Sequence, residues 1–260
     1  MEESEQQFRK SLSGKIVLIT GAASGIGKAM VAAFLKEKAI VAAVDSNAQN
    51  LELIRTELNA HTSHLTTYLC DVSEEQQIVD TLDKIKYELG SIQVLINNAG
   101  ILDDFIPAHK LSNLLWERVM RVNLNAAFII SREVLPEMTE KGSGTIINVS
   151  SVGGLNGCRA GTAYTVSKFG LIGLSKNIAF TYANQGIRCN VIAPGAVNTD
   201  IGKEMHPDPM GYERSALGFG MIPRSGEPNE IASIAVFLAS SEASLINGAV
   251  IVADAGWTAY

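Results

Sequence analysis

Tyr164 and Lys168 stand four residues apart in the run Tyr164-Thr165-Val166-Ser167-Lys168. On a helix that spacing puts a phenol and an ammonium on one face. An ordinary tyrosine, with a pKa of about 10, is a poor base near neutral pH. A unit positive charge about 4 Å away, in an effective dielectric of about 20, supplies about 4 kcal/mol. That is roughly three pKa units at about 1.4 kcal/mol each. Lys168, helped by a cationic nicotinamide, is therefore expected to bring Tyr164 near working pH, where it can take and return a proton. Ser151 lies thirteen residues ahead of Tyr164, just after the apolar run Thr145–Val149. From there its hydroxyl could hydrogen-bond a substrate oxygen while the phenol moves the proton. A tyrosine and a lysine at this spacing are, taken alone, most often two surface side chains, so the argument rests on their company.

A second constellation lies near the start of the chain: Thr20-Gly21-Ala22-Ala23-Ser24-Gly25-Ile26-Gly27. It sits between an apolar run, Lys15–Thr20, and a helix-period stretch, Gly25–Lys38. A helix N-terminus presents unpaired N–H groups and partial positive charge, which suits a pyrophosphate. Gly21 allows the turn, Gly25 lets the backbone approach the phosphates, and Gly27 lets the helix pack close to the sheet. The strand-then-helix context makes this a dinucleotide fingerprint rather than a stray glycine pattern. The next apolar run ends in Val44-Asp45. A carboxylate there can hydrogen-bond ribose hydroxyls and repels a 2′-phosphate. The glycine loop carries no Arg or Lys for such a phosphate, so the expected cofactor is NAD(H), preferred over NADP(H).

These side chains need a scaffold that gathers them. Seven Val/Ile-rich runs, Lys15–Thr20, Ile40–Val44, Thr66–Cys70, Ile92–Ile96, Thr145–Val149, Arg188–Ile192 and Ala249–Val252, alternate with helix-period stretches. Those are Gly25–Lys38, Ala48–Leu58, Glu74–Leu89, Asn113–Glu140 (one helix or two), Ala163–Ala183 and Pro228–Ala239. Continuous apolar strands belong to a sheet covered on both faces, hence parallel. The expected fold is α/β, a single doubly wound seven-stranded parallel sheet with helices on both faces. Ligands in such folds bind beyond the carboxyl ends of the strands. Residues 1–12 read as a flexible N-terminus and 13–260 as one domain. Val197–Gly226, with three prolines and five glycines, reads as a lid without regular structure.

Composition excludes other classes. The chain is 47% hydrophobic and 18% charged, which leaves enough apolar material for a core. A net charge of −6 gives no pull toward nucleic acid or anionic membrane. No apolar run approaches the ~20 residues that span a bilayer, and the acidic N-terminus lacks a signal-peptide pattern. Cys70, Cys158 and Cys189 are odd in number and far apart, which fits a reducing cytoplasm. His61 and His64 read as a solvated pair rather than metal ligands, so no metal is expected. Asp103-Asp104 reads as a solvated loop.

Taken together, the motifs resemble the short-chain dehydrogenase/reductase family in its compact form. The matching segments are TGAASGIG at 20–27, CDV at 70–72, NNAG at 97–100, VNL at 122–124, NVSS at 148–151, YTVSK at 164–168 and APGAVNT at 193–199. The resemblance covers about residues 12–256. It implies Tyr164 as acid/base, Lys168 on the nicotinamide ribose, Ser151 rather than Ser150 polarising the carbonyl, and Asn123 holding a water in a proton relay toward Lys168. It implies cofactor contacts from the loop residues Gly21, Ser24, Gly25, Ile26 and Gly27, from Asp71 and Val72 at the adenine, and from Asn98, Ala99 and Gly100. Pro194, Gly195, Val197 and Thr199 would seat the nicotinamide. The family's Asp-Gly-Gly near the C-terminus reads Asp254-Ala255-Gly256 here, a departure expected to lie far from the chemistry. The implied activity is interconversion of a secondary alcohol and a ketone, in a homodimer or homotetramer. The alternatives are a 3-oxoacyl-acyl-carrier-protein reductase and, in another class, a catalytically silent dinucleotide-binding sensor.

Overall fold

The computed structural model describes residues 12–58, 64–157, 159–203 and 205–260. Seven strands, β1 (Ile16–Thr20), β2 (Ile40–Asp45), β3 (Leu65–Leu69), β4 (Val94–Asn97), β5 (Gly144–Val149), β6 (Ile187–Pro194) and β7 (Val250–Ala253), form one sheet. Their order is β3-β2-β1-β4-β5-β6-β7 and every pairing is parallel. The expected Rossmann-like α/β sheet is thus present, with its order reversing between β1 and β4.

Alternation along each strand feeds two cores. Val17 and Ile19 of β1, Val41 and Ala43 of β2, and Val94 and Ile96 of β4 face one side. Helices α1 (Gly25–Lys36), α2 (Ala48–Glu57) and, placed at the far end of the chain, Pro228–Ala239 cover that side through Phe34, Ile54 and Leu238. Leu18, Ala42 and Leu95 face the other. There α3 (Glu75–Glu88), α5 (Ala126–Glu140) and α6 (Thr162–Thr181) supply Ile85, Ile130 and Ile178. The long stretch before β5 is a bent rod: α4 (Asn113–Met120) passes through a π turn, Arg121–Asn125, into α5. Such turns open the helical ladder locally and are frequent at functional sites.

Two expectations are corrected. Leu12, placed in the flexible N-terminus, is only 2% exposed and packs in the first core; residues 1–11 lie outside the described residues. The lid is not without regular structure. It carries α7 (Pro209–Ala216) and a short 3₁₀ turn, Phe219–Met221. Asp208 caps α7 by accepting from Met210 and Gly211 N–H, and Pro209 occupies the first turn, where its missing donor costs nothing. The proline that reads as a breaker is a helix start. The last helix, Pro228–Ala239, is α8. Among the described residues no helix is long and apolar enough to cross a membrane.

Candidate active site

Every predicted site residue lies at or beyond the carboxyl end of a strand, on both sides of the β1/β4 switch point. After β1, Gly25 holds φ +48° at the start of α1, and a Cβ on it would meet Thr199 at 3.2 Å. A Cβ on Gly27 would overlap the Gly21 carbonyl oxygen. Ser24 precedes α1 without a side-chain cap, so the first N–H groups beside Ser24 and Ile26 keep no intrachain partner from that hydroxyl. This cradle of backbone donors fits a pyrophosphate.

The loop is bolted from two sides. Asn98 donates through Nδ2 to the carbonyls of Thr20 and Gly21, both at 3.0 Å. Thr20 Oγ1 accepts from Asn98 and Ala99 N–H at 3.1 Å each. At the end of β2, Asp45 accepts from Ala23 N–H and Asn47 N–H, each at 2.9 Å. Asp45 is therefore oriented by the loop it borders. One strand further out, Asp71 accepts from Ser73 N–H at 2.9 Å, and Val72 is buried. On the other side of the switch, Pro194 ends β6 and Gly195 N–H donates to Ala253 O at 2.9 Å. Val197 pairs with Gly226, which closes the base of the segment between them.

The proton-handling groups meet after β5. Ser151 Oγ lies beside the Tyr164 ring, since a Cβ on Gly153 would sit 3.4 Å from each, and it accepts from Gly153 N–H at 3.0 Å. Ser150 instead donates to the Lys168 carbonyl at 3.0 Å, so Ser151 is the serine that faces the phenol. Lys168 Nζ donates to Val149 O at 2.9 Å and lies 5.5 Å from the Tyr164 ring centroid. Asn123 accepts from Ile101 N–H at 2.8 Å and donates to Ile101 O and Ser167 Oγ. Gly100 lies between Asn123 and Lys168, for a Cβ on it would sit 3.3 Å from Lys168 Nζ and 3.5 Å from Asn123 Oδ1.

Residues 15–209 match the short chain dehydrogenase family. The chain belongs to that family. It is 40% identical to 3beta-hydroxysteroid dehydrogenase 2 of Eggerthella lenta over 99% of this chain and 100% of the relative. It is 37% identical to D-threitol dehydrogenase of Mycolicibacterium smegmatis, over 99% and 98%. It is 38% identical to a 3-oxoacyl-acyl-carrier-protein reductase of Thermotoga maritima, over 94% and 98%. The crystal structure of levodione reductase superposes with a TM-score of 0.87 at 34% identity, covering 95% of this chain and 99% of that one.

Two expectations are corrected at this short chain dehydrogenase site, those for Asp103 and for Asp254-Ala255-Gly256. In the protein without cofactor, burial governs the Tyr164–Lys168 pair. Burial pushes Tyr164 up to about 12, Ser151 opposes this, and the Asp103 charge adds to it. Burial likewise brings Lys168 down to about 8. The enclosure that brings the pair together penalises both charges. Asp103 is not solvated: it is 1% exposed and accepts two backbone N–H bonds. No motif marks it. Asn123 commits its side chain to Ile101 and Ser167. Finally, Asp254-Ala255-Gly256 is not remote, since a Cβ on Gly195 would lie 2.6 Å from Asp254 Cβ. Cys158 and His61 lie outside the described residues.

Proposed function

We propose that this short chain dehydrogenase is an NAD(H)-dependent oxidoreductase that interconverts a secondary alcohol and a ketone, with Tyr164 as acid/base. The supporting observation is the gathering of Ser151, Tyr164 and Lys168 at the carboxyl end of β5: Ser151 Oγ lies beside the Tyr164 ring, and Lys168, buried one turn further along the same helix, donates to Val149 O. When bound, the nicotinamide supplies the hydride acceptor or donor and, oxidised, a positive charge. In ketone reduction Tyr164 starts protonated, as its high pKa favours, and donates to the substrate oxygen. Ser151 stabilises the charge developing on that oxygen. In alcohol oxidation the phenol must first lose its proton, which the protein alone resists, so this direction gains with rising pH.

Gly21, Ser24, Gly25, Ile26 and Gly27 would hold the pyrophosphate. Asp45 would hold the adenosine ribose, Asp71 and Val72 the adenine, and Asn98, Ala99 and Gly100 the middle of the cofactor. Tyr164 and Lys168 would hold the nicotinamide ribose, and Pro194, Gly195, Val197 and Thr199 the nicotinamide. The preference for NAD(H) rests on the Asp45 carboxylate and on Lys28, which is paired with Glu57 rather than left for a 2′-phosphate. Substrate contacts would come from 101–105, 152–158, Ala196 and the lid. The cytoplasmic setting rests on the cysteine pattern. A homodimer or homotetramer is supported by exposed Phe128 on α5 and Val166 and Phe169 on α6.

The test is a panel of secondary alcohols and ketones, each followed by nicotinamide absorbance with NAD(H) and NADP(H) side by side. Turnover with NAD(H) is expected. Tyr164→Phe should lose about 10²–10⁴-fold in kcat while NADH still binds. Binding without turnover across the panel would favour the silent sensor. Preference for a 3-oxoacyl thioester with NADPH would favour the reading that the Thermotoga relative suggests.

A further inference from the structure

The first turn of α6, which carries Tyr164, is not capped by its own N-cap residue. Its N-cap is Gly161, which has no side chain to accept from the free N–H groups. The segment Asp103–Ile106, sixty residues away along the chain, performs that task. Asp103 Oδ1 accepts from Gly161 N–H at 3.0 Å, and Oδ2 from Tyr164 N–H at 2.9 Å. Ile106 O accepts from Thr162 N–H and Thr162 Oγ1, each at 3.1 Å. A Cβ on Gly161 would strike the Asp103 carboxylate, so the glycine is what admits the acid. Asp104 and Phe105 have φ of +53° and +55°. Two consecutive non-glycine residues in that region are strained and persist only where surrounding contacts hold them. Asp104 also holds the lid: its carbonyl accepts from Asp208 N–H at 2.8 Å and its carboxylate from His206 N–H at 3.2 Å.

We propose that Asp103 is a positioning residue for Tyr164, an N-cap supplied by a distant segment that fixes where the phenol sits and how readily it ionises. The inference rests on Tyr164 being the acid/base. A bidentate carboxylate on the helix terminus holds the main chain of Tyr164 itself, so a looser cap displaces the phenol relative to Ser151. Misplacement of a reacting group by about 1 Å can cost on the order of 100-fold in rate. The charge acts too: the charged groups packed about the phenol are Asp103 from the loop after β4 and Lys168 from α6, and the Asp103 charge keeps the Tyr164 proton on. The carboxyl of Asp103 is itself pushed up by burial, against the lowering effect of its backbone donors.

The experiment compares Asp103→Asn, Asp103→Glu and Asp104→Asn as full-length protein. Asp103→Asn removes the charge and one acceptor. Its kcat should fall about tenfold or more with KM nearly unchanged, and the acid limb of the alcohol-oxidation pH profile should move to lower pH. Asp103→Glu keeps the charge but alters the reach, so kcat should fall while the limb stays. Asp104→Asn should raise KM without moving the limb. Independently of turnover, ultraviolet titration of tyrosinate in the protein without cofactor, differenced against Tyr164→Phe, should show the Tyr164 midpoint lowered in Asp103→Asn. A lower thermal midpoint with kcat, limb and titration all unchanged would reduce Asp103 to a purely structural cap and overturn the proposal. If Asp103→Asn does not fold, an Asp103→Glu protein with wild-type kcat overturns it as well. A shifted titration without turnover of any alcohol would keep the inference and sink the functional reading beneath it.

Discussion

The two ends of the candidate site are built on opposite physical terms. At the glycine loop the side chains of Thr20, Asp45 and Asn98 hydrogen-bond to main-chain groups, and the ligand-facing surface is main-chain N–H at a helix start. That end carries partial charges that cost nothing to keep in place. Across the switch point, Tyr164, Lys168 and Asp103 are ionisable groups, each at most 8% exposed. There the fold holds groups whose charged forms it disfavours. A dinucleotide needs a rigid anion cradle, whereas a proton must change hands, and that calls for groups held away from their solution equilibria.

The comparison breaks most sharply at Gly27. Gly27→Ala puts a methyl onto the Gly21 carbonyl, which the bolted loop cannot evade. We expect a loss of about 3 kcal/mol or more in stability, seen in urea unfolding, together with loss of NADH binding by fluorescence titration. If the variant binds NADH normally, the loop is not the rigid cradle described.

Lys168 tests the other end, with the opposite sign for stability. Its pKa falls from 10.5 in the unfolded chain to about 8 in the fold. Between those values the unfolded chain binds a proton that the folded one lacks, so stability rises with pH across the window. Below pH 8 the fold bears the burial penalty. Lys168→Met should therefore raise stability by about 3 kcal/mol at pH 7, measured by thermal unfolding, and flatten the pH dependence between 8 and 10. Turnover should be lost. A Met variant less stable than wild type would show that the bond to Val149 O outweighs the penalty.

The smallest effect is expected at Ala255, beside Gly195. Ala255 holds φ +56°, pinned by Asp254, which accepts from Gly256 N–H at 2.9 Å and Thr258 N–H at 2.8 Å. Ala255→Gly should stabilise the fold by about 1 kcal/mol, read from the thermal midpoint. The gain would mark local strain at the nicotinamide rim that the glycine loop avoids.

The sheet was legible because continuous Val/Ile runs leave only the parallel, doubly covered solution, and all seven strands fall within a few residues of those runs. The glycine loop and the Ser151, Tyr164 and Lys168 set were legible because their spacing is local: one turn, one helix face, one strand end. What stayed hidden depends on contacts distant in sequence. Asp103 caps a helix some sixty residues on, and nothing in the pair Asp103-Asp104 shows which acid turns inward. The burial that raises the Tyr164 pKa in the protein without cofactor was not legible, because a charge at short range can be inferred from spacing, whereas enclosure cannot. The helix Pro209–Ala216 was hidden by its own proline, although Asp208 before it is an N-cap signal.

The pairing of Val197 with Gly226 has a consequence for divergence among relatives. It brings entry and exit of the intervening stretch to one point, with Asn198 N–H donating to Gly226 O at 2.9 Å and Gly226 N–H to Ala196 O at 2.8 Å. An excursion that leaves and returns through one such clasp can change length at little cost, since closure entropy grows only with the logarithm of the number of residues. The stretch between Val197 and Gly226 can thus be rewritten as a detachable cassette, while the strands beneath it keep their register.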